Sequence, residues 1–118
     1  MFTLSLDTPA VGAARLRLTG HLDDAAARDV LHAAADVVRC GCSRLVVDLK
    51  GLDSFDHDAA YCVTGCCRLS RFLTEGVSVV AGSAAGEALA ETAGVVPHTA
   101  GAHRPGGLAG TVVSCPAC

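Results

Sequence analysis

Three groups of residues in the sequence have the types and spacing to do chemistry. The densest is Asp53-Ser54-Phe55-Asp56-His57-Asp58, with three carboxylates, a hydroxyl and an imidazole inside six residues. Such a set suits a hard-cation site or acid–base work. The EF-hand spacing and its glycine are absent, and His57 and Asp58, adjacent at a helix start, point in different directions, so no metal is expected here. His57 reads instead as an exposed, titratable contact. Ser54 reads as a loop residue making a stabilising hydrogen bond.

The second group is the cysteines. Cys40-Gly41-Cys42 and Cys115-Pro116-Ala117-Cys118 are two close pairs. Cys-x-x-Cys is a common half of a tetrahedral zinc site and also the spacing of a redox dithiol. Cys115, Cys118, Cys40 and Cys42 are therefore the candidate redox or zinc residues. Cys62 and Cys66 lie one helical turn apart on an inward stripe and read as core packing, while Cys67 points elsewhere and is expected to be partly exposed. An odd count of seven and the absence of a basic leader at Met1–Asp7 argue against a disulfide framework, so most thiols are expected to be reduced.

The third is Gly82-Ser83-Ala84-Ala85-Gly86, small residues between a strand and a helix. Such a turn can cradle an anion, but the lysine of a phosphate-binding loop is missing, and a helix cap by Ser83 is the expected role. There is no Gly-x-Ser-x-Gly elbow and no His-Glu-x-x-His. The sequence therefore predicts no enzyme and no cofactor.

The elements that must position these residues follow from periodicity. Phe2, Leu4 and Leu6 alternate, as do Arg15 and Arg17 against Leu16 and Leu18, which predicts an antiparallel hairpin turning at Pro9–Gly12. Ala26, Val30, Ala33, Ala34 and Val37 recur at helical spacing, with Asp23 or Asp24 to cap the start, Cys40 extending the stripe and Gly41 to stop it. The run 44–49 predicts a strand covered on both faces, joined to the hairpin by a right-handed crossover. A loop over 50–56 then leads to a second helix starting near Asp58, on the stripe Ala59, Cys62, Val63, Cys66, Leu69 and Leu73. The run 77–81 is the next strand, and a third helix follows to Ala93. Residues 1–97 form one domain in this reading, and 98–118 a Gly- and Pro-rich mobile tail.

Bulk properties narrow the function. The chain has 118 residues, enough for one core, and a net charge of −3, which gives no basic face for nucleic acid. The longest apolar runs fall well short of the roughly 20 residues of a membrane span. A cytoplasmic protein is expected, and eight Arg against one Lys suggest a GC-rich bacterial gene.

The order of elements resembles the STAS family, which joins sulfate transporters to bacterial antagonists of anti-sigma factors. The matching pieces are Gly20-His21-Leu22-Asp23, Arg44-Leu45-Val46-Val47-Asp48-Leu49, the segment from Leu52 to Ala59, and Val77-Ser78-Val79-Val80-Ala81-Gly82. The resemblance covers residues 1 to about 96. It implies an α/β fold, a mixed four- or five-stranded sheet with about three helices mainly on one face. It also implies a non-enzymatic anti-sigma factor antagonist whose partner is an anti-sigma factor of the histidine-kinase-like ATPase, serine-kinase type. The family's Asp-Ser-[Ser/Thr]-Gly signature reads Asp56-His57-Asp58-Ala59 here, so Asp58 stands at the phosphoacceptor position and is no substrate for a serine kinase. Asp58 has three readings: a helix cap, a mimic of the phosphorylated state, or a substitution neutral to binding. The expected docking residues are Asp23, Asp53, Ser54, Asp56, His57, Asp58, Tyr61, Thr64, Arg68 and Arg71, with Gly65 on the same exposed helix face. A cysteine-based redox or zinc-responsive regulator on the same fold, or a STAS scaffold in a larger complex, are the alternatives.

Overall fold

The structure, a computed structural model, describes residues 1–95 and 112–114. The chain begins with a hairpin. Strands β1 (Phe2–Ala10) and β2 (Ala13–Leu22) pair antiparallel, Leu4 opposite Leu18 and Leu6 opposite Leu16. Helix α1 (Asp24–Arg39) carries the chain back so that β3 (Arg44–Phe55) lies parallel to β2. A 3-10 turn (His57–Ala59), helix α2 (Tyr61–Arg68) and a second 3-10 turn (Leu69–Phe72) make the next crossover. Strand β4 (Gly76–Val80) is then parallel to β3, and helix α3 (Ala84–Thr92) follows. Strand β5 (Val112–Ser114) closes the edge antiparallel to β4, giving the order β1-β2-β3-β4-β5. The expected α/β architecture with a mixed sheet is the one observed. Val112–Ser114 differ from expectation, since they fall in the segment read as a tail. Their pairing satisfies backbone groups that β4 would otherwise leave open at the sheet edge.

The three helices cover one face. Inward residues of the sheet, Leu16, Leu18, Leu45, Val47, Leu49 and Val79, are fully buried and join Val30, Val63 and Leu89 of the helices in one cluster. Burying each Leu or Val of this kind contributes roughly 1.5–3 kcal/mol, so the helix stripes are fixed by the sheet more than by helix propensity. Asp23 caps α1, its Oδ1 accepting from Ala26 N at 2.8 Å. Gly41 ends the helix at φ +82, beyond a Cys40 that is exposed and does not extend the stripe. The opposite face of the sheet carries Asp7, Arg15, Arg17, Thr19 and Lys50. Here Arg15 holds Asp7 at 2.6 Å, which keeps that carboxyl below its ordinary range.

Strand β3 corrects the expected loop over 50–56. It continues to Phe55 as a twelve-residue strand with two register shifts against β2, where Arg17–Thr19 span Asp48–Gly51 and Gly20–His21 span Leu52–Ser54. Each shift places one extra residue on β3. Bulges of this kind bend a strand and re-aim its side chains, which is how strand geometry survives a sequence with Gly51 and two acidic residues.

Candidate docking site

The second bulge sets the geometry of the acidic segment. Gly20, at φ +90, lets the chain pass close under the first residue: a Cβ there would sit 1.9 Å from the Met1 carbonyl oxygen. That carbonyl accepts from His21 N at 3.0 Å, and Asp56 N donates to Leu22 O at 2.8 Å, tying the end of β3 to the end of β2. His21 lies on the same sheet face as Arg17 and Thr19, by the alternation of β2. Its ring bridges two residues of the acidic segment, with Nδ1 2.7 Å from Ser54 Oγ and Nε2 2.9 Å from Asp56 Oδ1. Ser54 makes a hydrogen bond as expected, but from an exposed strand position and to an imidazole 33 residues away in the chain, not within a loop.

Asp53, Ser54, Asp56, His57 and Asp58 are all exposed. Asp58 corrects the capping reading. It sits inside the 3-10 turn, whose start at Asp56 has no side-chain cap, and the N-cap position of α2 is Ala60, which offers none either. The single turn between β3 and α2 and the first turn of α2 are held instead by burial of Ala59, Ala60, Cys62 and Val63. Asp58 is thus an uncommitted charge on the rim.

The helix face expected to dock divides in two. Tyr61, Arg68 and Arg71 are exposed. Tyr61 donates its hydroxyl to Asp24 Oδ1 at 2.8 Å, and this bond, aided by the nearby charge, raises the phenol above its ordinary range. Asp24 also pairs with Arg28 at 2.7 Å, so α1 and the start of α2 share a polar seam. Arg71 lies over the exposed Phe72 ring, 5.9 Å from its centroid. Thr64 and Gly65 do not belong to this surface. Thr64 Oγ1 donates at 3.2 Å to the carbonyl of Ala93, which caps the end of α3, and a Cβ on Gly65 would meet Leu31 of α1 at 2.5 Å. Both are packing positions between helices. Asp23 is exposed but engaged as the α1 cap.

The cysteines also resolve. Cys40, Cys42, Cys62 and Cys66 are free thiols, Cys40 exposed and Cys42 half-buried. Burial pushes the Cys62 thiol up to about 12 and moves Cys66 in the same direction. Cys67 corrects two expectations: it is buried rather than partly exposed, and it is disulfide-bonded. Cys115 and Cys118 lie outside the described residues. Among the described residues no group of three or more His, Cys, Asp or Glu side chains could hold a metal ion, and no helix is long and apolar enough to cross a membrane.

The fold has counterparts among solved structures. The fold is shared with the anti-sigma factor antagonist SpoIIAA, solved in its unphosphorylated form, at TM-score 0.50 and 18% identity over 56% of this chain and 61% of SpoIIAA. The match thus spans less than two-thirds of SpoIIAA. A second likeness, to the crystal structure described as Mglu, has TM-score 0.50 and 25% identity over 64% of this chain and 18% of that one. The sequence matches no protein-family model and no curated protein.

The residue that the sequence reading passed over is His21. Its alternation with Arg15 and Arg17 already placed it on the outer face. What joins it to Ser54 and Asp56 is the bulged β2–β3 register, for which the sequence carries no local signal.

Proposed function

We propose that the chain is a non-enzymatic, cytoplasmic antagonist of an anti-sigma factor, of the STAS type, with Asp58 replacing the phosphorylatable residue. The observation carrying this reading is an exposed rim, Asp53 to Asp58 with Tyr61, Arg68 and Arg71 beyond it, on a fold shared with SpoIIAA. The rim is polar, contains one exposed aromatic with a satisfied hydroxyl, and leaves Asp58 free to face a partner. Aromatic and arginine side chains of this kind carry most of the binding energy in protein interfaces. The partner in this reading is an anti-sigma factor of the histidine-kinase-like ATPase type. Asp58 bears one carboxylate where a phosphoryl group would bear about two charges and three acceptor oxygens, so it mimics the phosphorylated state poorly and binding is retained.

Pulldown with wild type, Asp58→Ser and Asp58→Ala, read by mass spectrometry, tests this. Wild type should recover a kinase-fold partner, Arg68→Glu and Tyr61→Ala should lose it, and Asp58→Ser should become phosphorylated and release it on incubation with ATP. Recovery of no such partner by any variant rejects the reading. A second reading, redox control of docking, is supported by the bonded Cys67 beside the free Cys66. It requires the partner affinity to change on reduction.

A further inference from the structure

Ser54, His21 and Asp56 form a chain of contacts that links the docking rim to strand β2. The Asp56 carboxylate only accepts, so the proton on the 2.9 Å contact belongs to His21 Nε2. In the neutral imidazole Nδ1 then carries no hydrogen and accepts, and the Ser54 hydroxyl donates to it across 2.7 Å. A serine hydroxyl aimed at a bare imidazole nitrogen, with a carboxylate behind the ring, is the arrangement that activates a nucleophile. Its members come from unrelated stretches of chain, brought together by the bulge that sets Ser54 opposite His21.

Access is open. Ser54 is exposed, and the His21 and Asp56 side chains retain 41% and 55% of their surface. On the same sheet face lies a depression of about 350 Å³ lined by Arg17, Thr19, Asp48, Lys50 and Gly51. Thr19, at its rim, is two residues from His21 along β2, about 7 Å at strand rise.

We propose that Ser54 Oγ is an activated nucleophile and a site of self-acylation by activated carboxylic esters, with His21 as its base. Oγ attacks the ester carbonyl carbon, forming the new C–O bond while its proton passes to His21 Nδ1. The bond to the leaving oxygen breaks with its electron pair, an aryl oxide departs, and Nδ1 gives the proton to water. Ser54 is left as its O-acyl ester. Asp56 is a positioning residue that fixes the tautomer and faces the transient imidazolium. This activity is independent of the docking reading, and an acyl group at Ser54 would sit in the middle of the rim.

The test is acetylation of the full chain by p-nitrophenyl acetate. Adducts are mapped by peptide mass spectrometry after neutral hydroxylamine has stripped thioesters from Cys40 and Cys42. Ser54 should acetylate about 100-fold faster in wild type than in His21→Ala, the low end for a positioned general base, because the site is solvated. His21→Gln keeps a hydrogen-bonding side chain but has no basic nitrogen, and it should be as slow as His21→Ala. Asp56→Asn should fall between. Thermal midpoints near wild type for these variants confirm that they are folded. Absence of acetyl at Ser54, or equal rates in wild type and His21→Gln, overturns the proposal.

Discussion

Two neighbouring strands of this sheet hand over to helices at the same end, and they do it in opposite ways. After β4 the turn into α3 is closed by side-chain bonds. Ser83 Oγ accepts from Gly86 N at 2.9 Å and donates to Leu49 O at 3.0 Å, reaching across to β3. Gly86 is packed so tightly that a Cβ would stand 2.7 Å from Ala81 O and 3.0 Å from Leu49 Cβ. After β3 the turn into α2 has no side-chain cap, and its polar residues face solvent. The α3 junction uses its polar groups internally, whereas the α2 junction leaves them available. The anchoring of α2 comes from below, through Cys62, Val63 and Cys66.

The largest test of this contrast is alkaline pH. A Cys62 thiol pushed up to about 12 by burial in the folded chain, against 9.0 for a solvated thiol, keeps its proton longer folded than unfolded. The unfolded chain therefore binds fewer protons between those values, and stability is full below pH 9 and falls as pH rises towards 12. The loss is on the order of 4 kcal/mol for this one thiol. Urea midpoints measured from pH 8 to 11 should fall steadily, and Cys62→Ala should flatten the slope. A slope unchanged by Cys62→Ala would mean that the underside of α2 is not its anchor. Next in size is Ser83→Ala, which removes a cap and should cost about 1 kcal/mol in chemical denaturation. Smallest is Asp58→Ala, which should change stability by less than about 0.5 kcal/mol, as expected of an exposed residue with no cap to lose. A cost near that of Ser83→Ala would erase the distinction between the two junctions.

The contrast also explains what the sequence could convey. The α1 stripe, the Asp23 and Ser83 caps and the alternating hairpin are local patterns, and each appears where periodicity and capping chemistry put it. The order β1-β2-β3-β4 follows once the crossovers are assigned, whereas β5 lies in the segment read as a tail. The acidic segment was harder. Its polar residues and Gly51 read as a loop, yet parallel pairing to β2 extends β3 through them as a bulged strand, a tertiary contact overriding local propensity. Asp58 looked like a cap because carboxylates favour helix starts, and the intervening 3-10 turn removed the helix start from its reach. Thr64 and Gly65 fell on the open side of α2 by spacing, but the neighbouring α1 and α3 close over them. Burial of Cys67 in the core cluster likewise depends on packing against other elements, which periodicity within α2 does not report.

The bulges on β3 also bear on how such a strand tolerates changes in length. Because side chains alternate with every residue, removing Asp53, the extra residue between Leu52 and Ser54, would leave β3 in step with β2 at this point. Ser54 would stay opposite His21 and Phe55 opposite Leu22, the pairs they already form, so the shortened strand would keep the rim's partners. Loss of the Asp53 codon would remove one carboxylate and the bend that holds it, whereas an insertion or deletion at Ser54 or Phe55 would shift the strand against His21 and Leu22. The bulge is the one place where this stretch of the gene can lose a codon and keep its register.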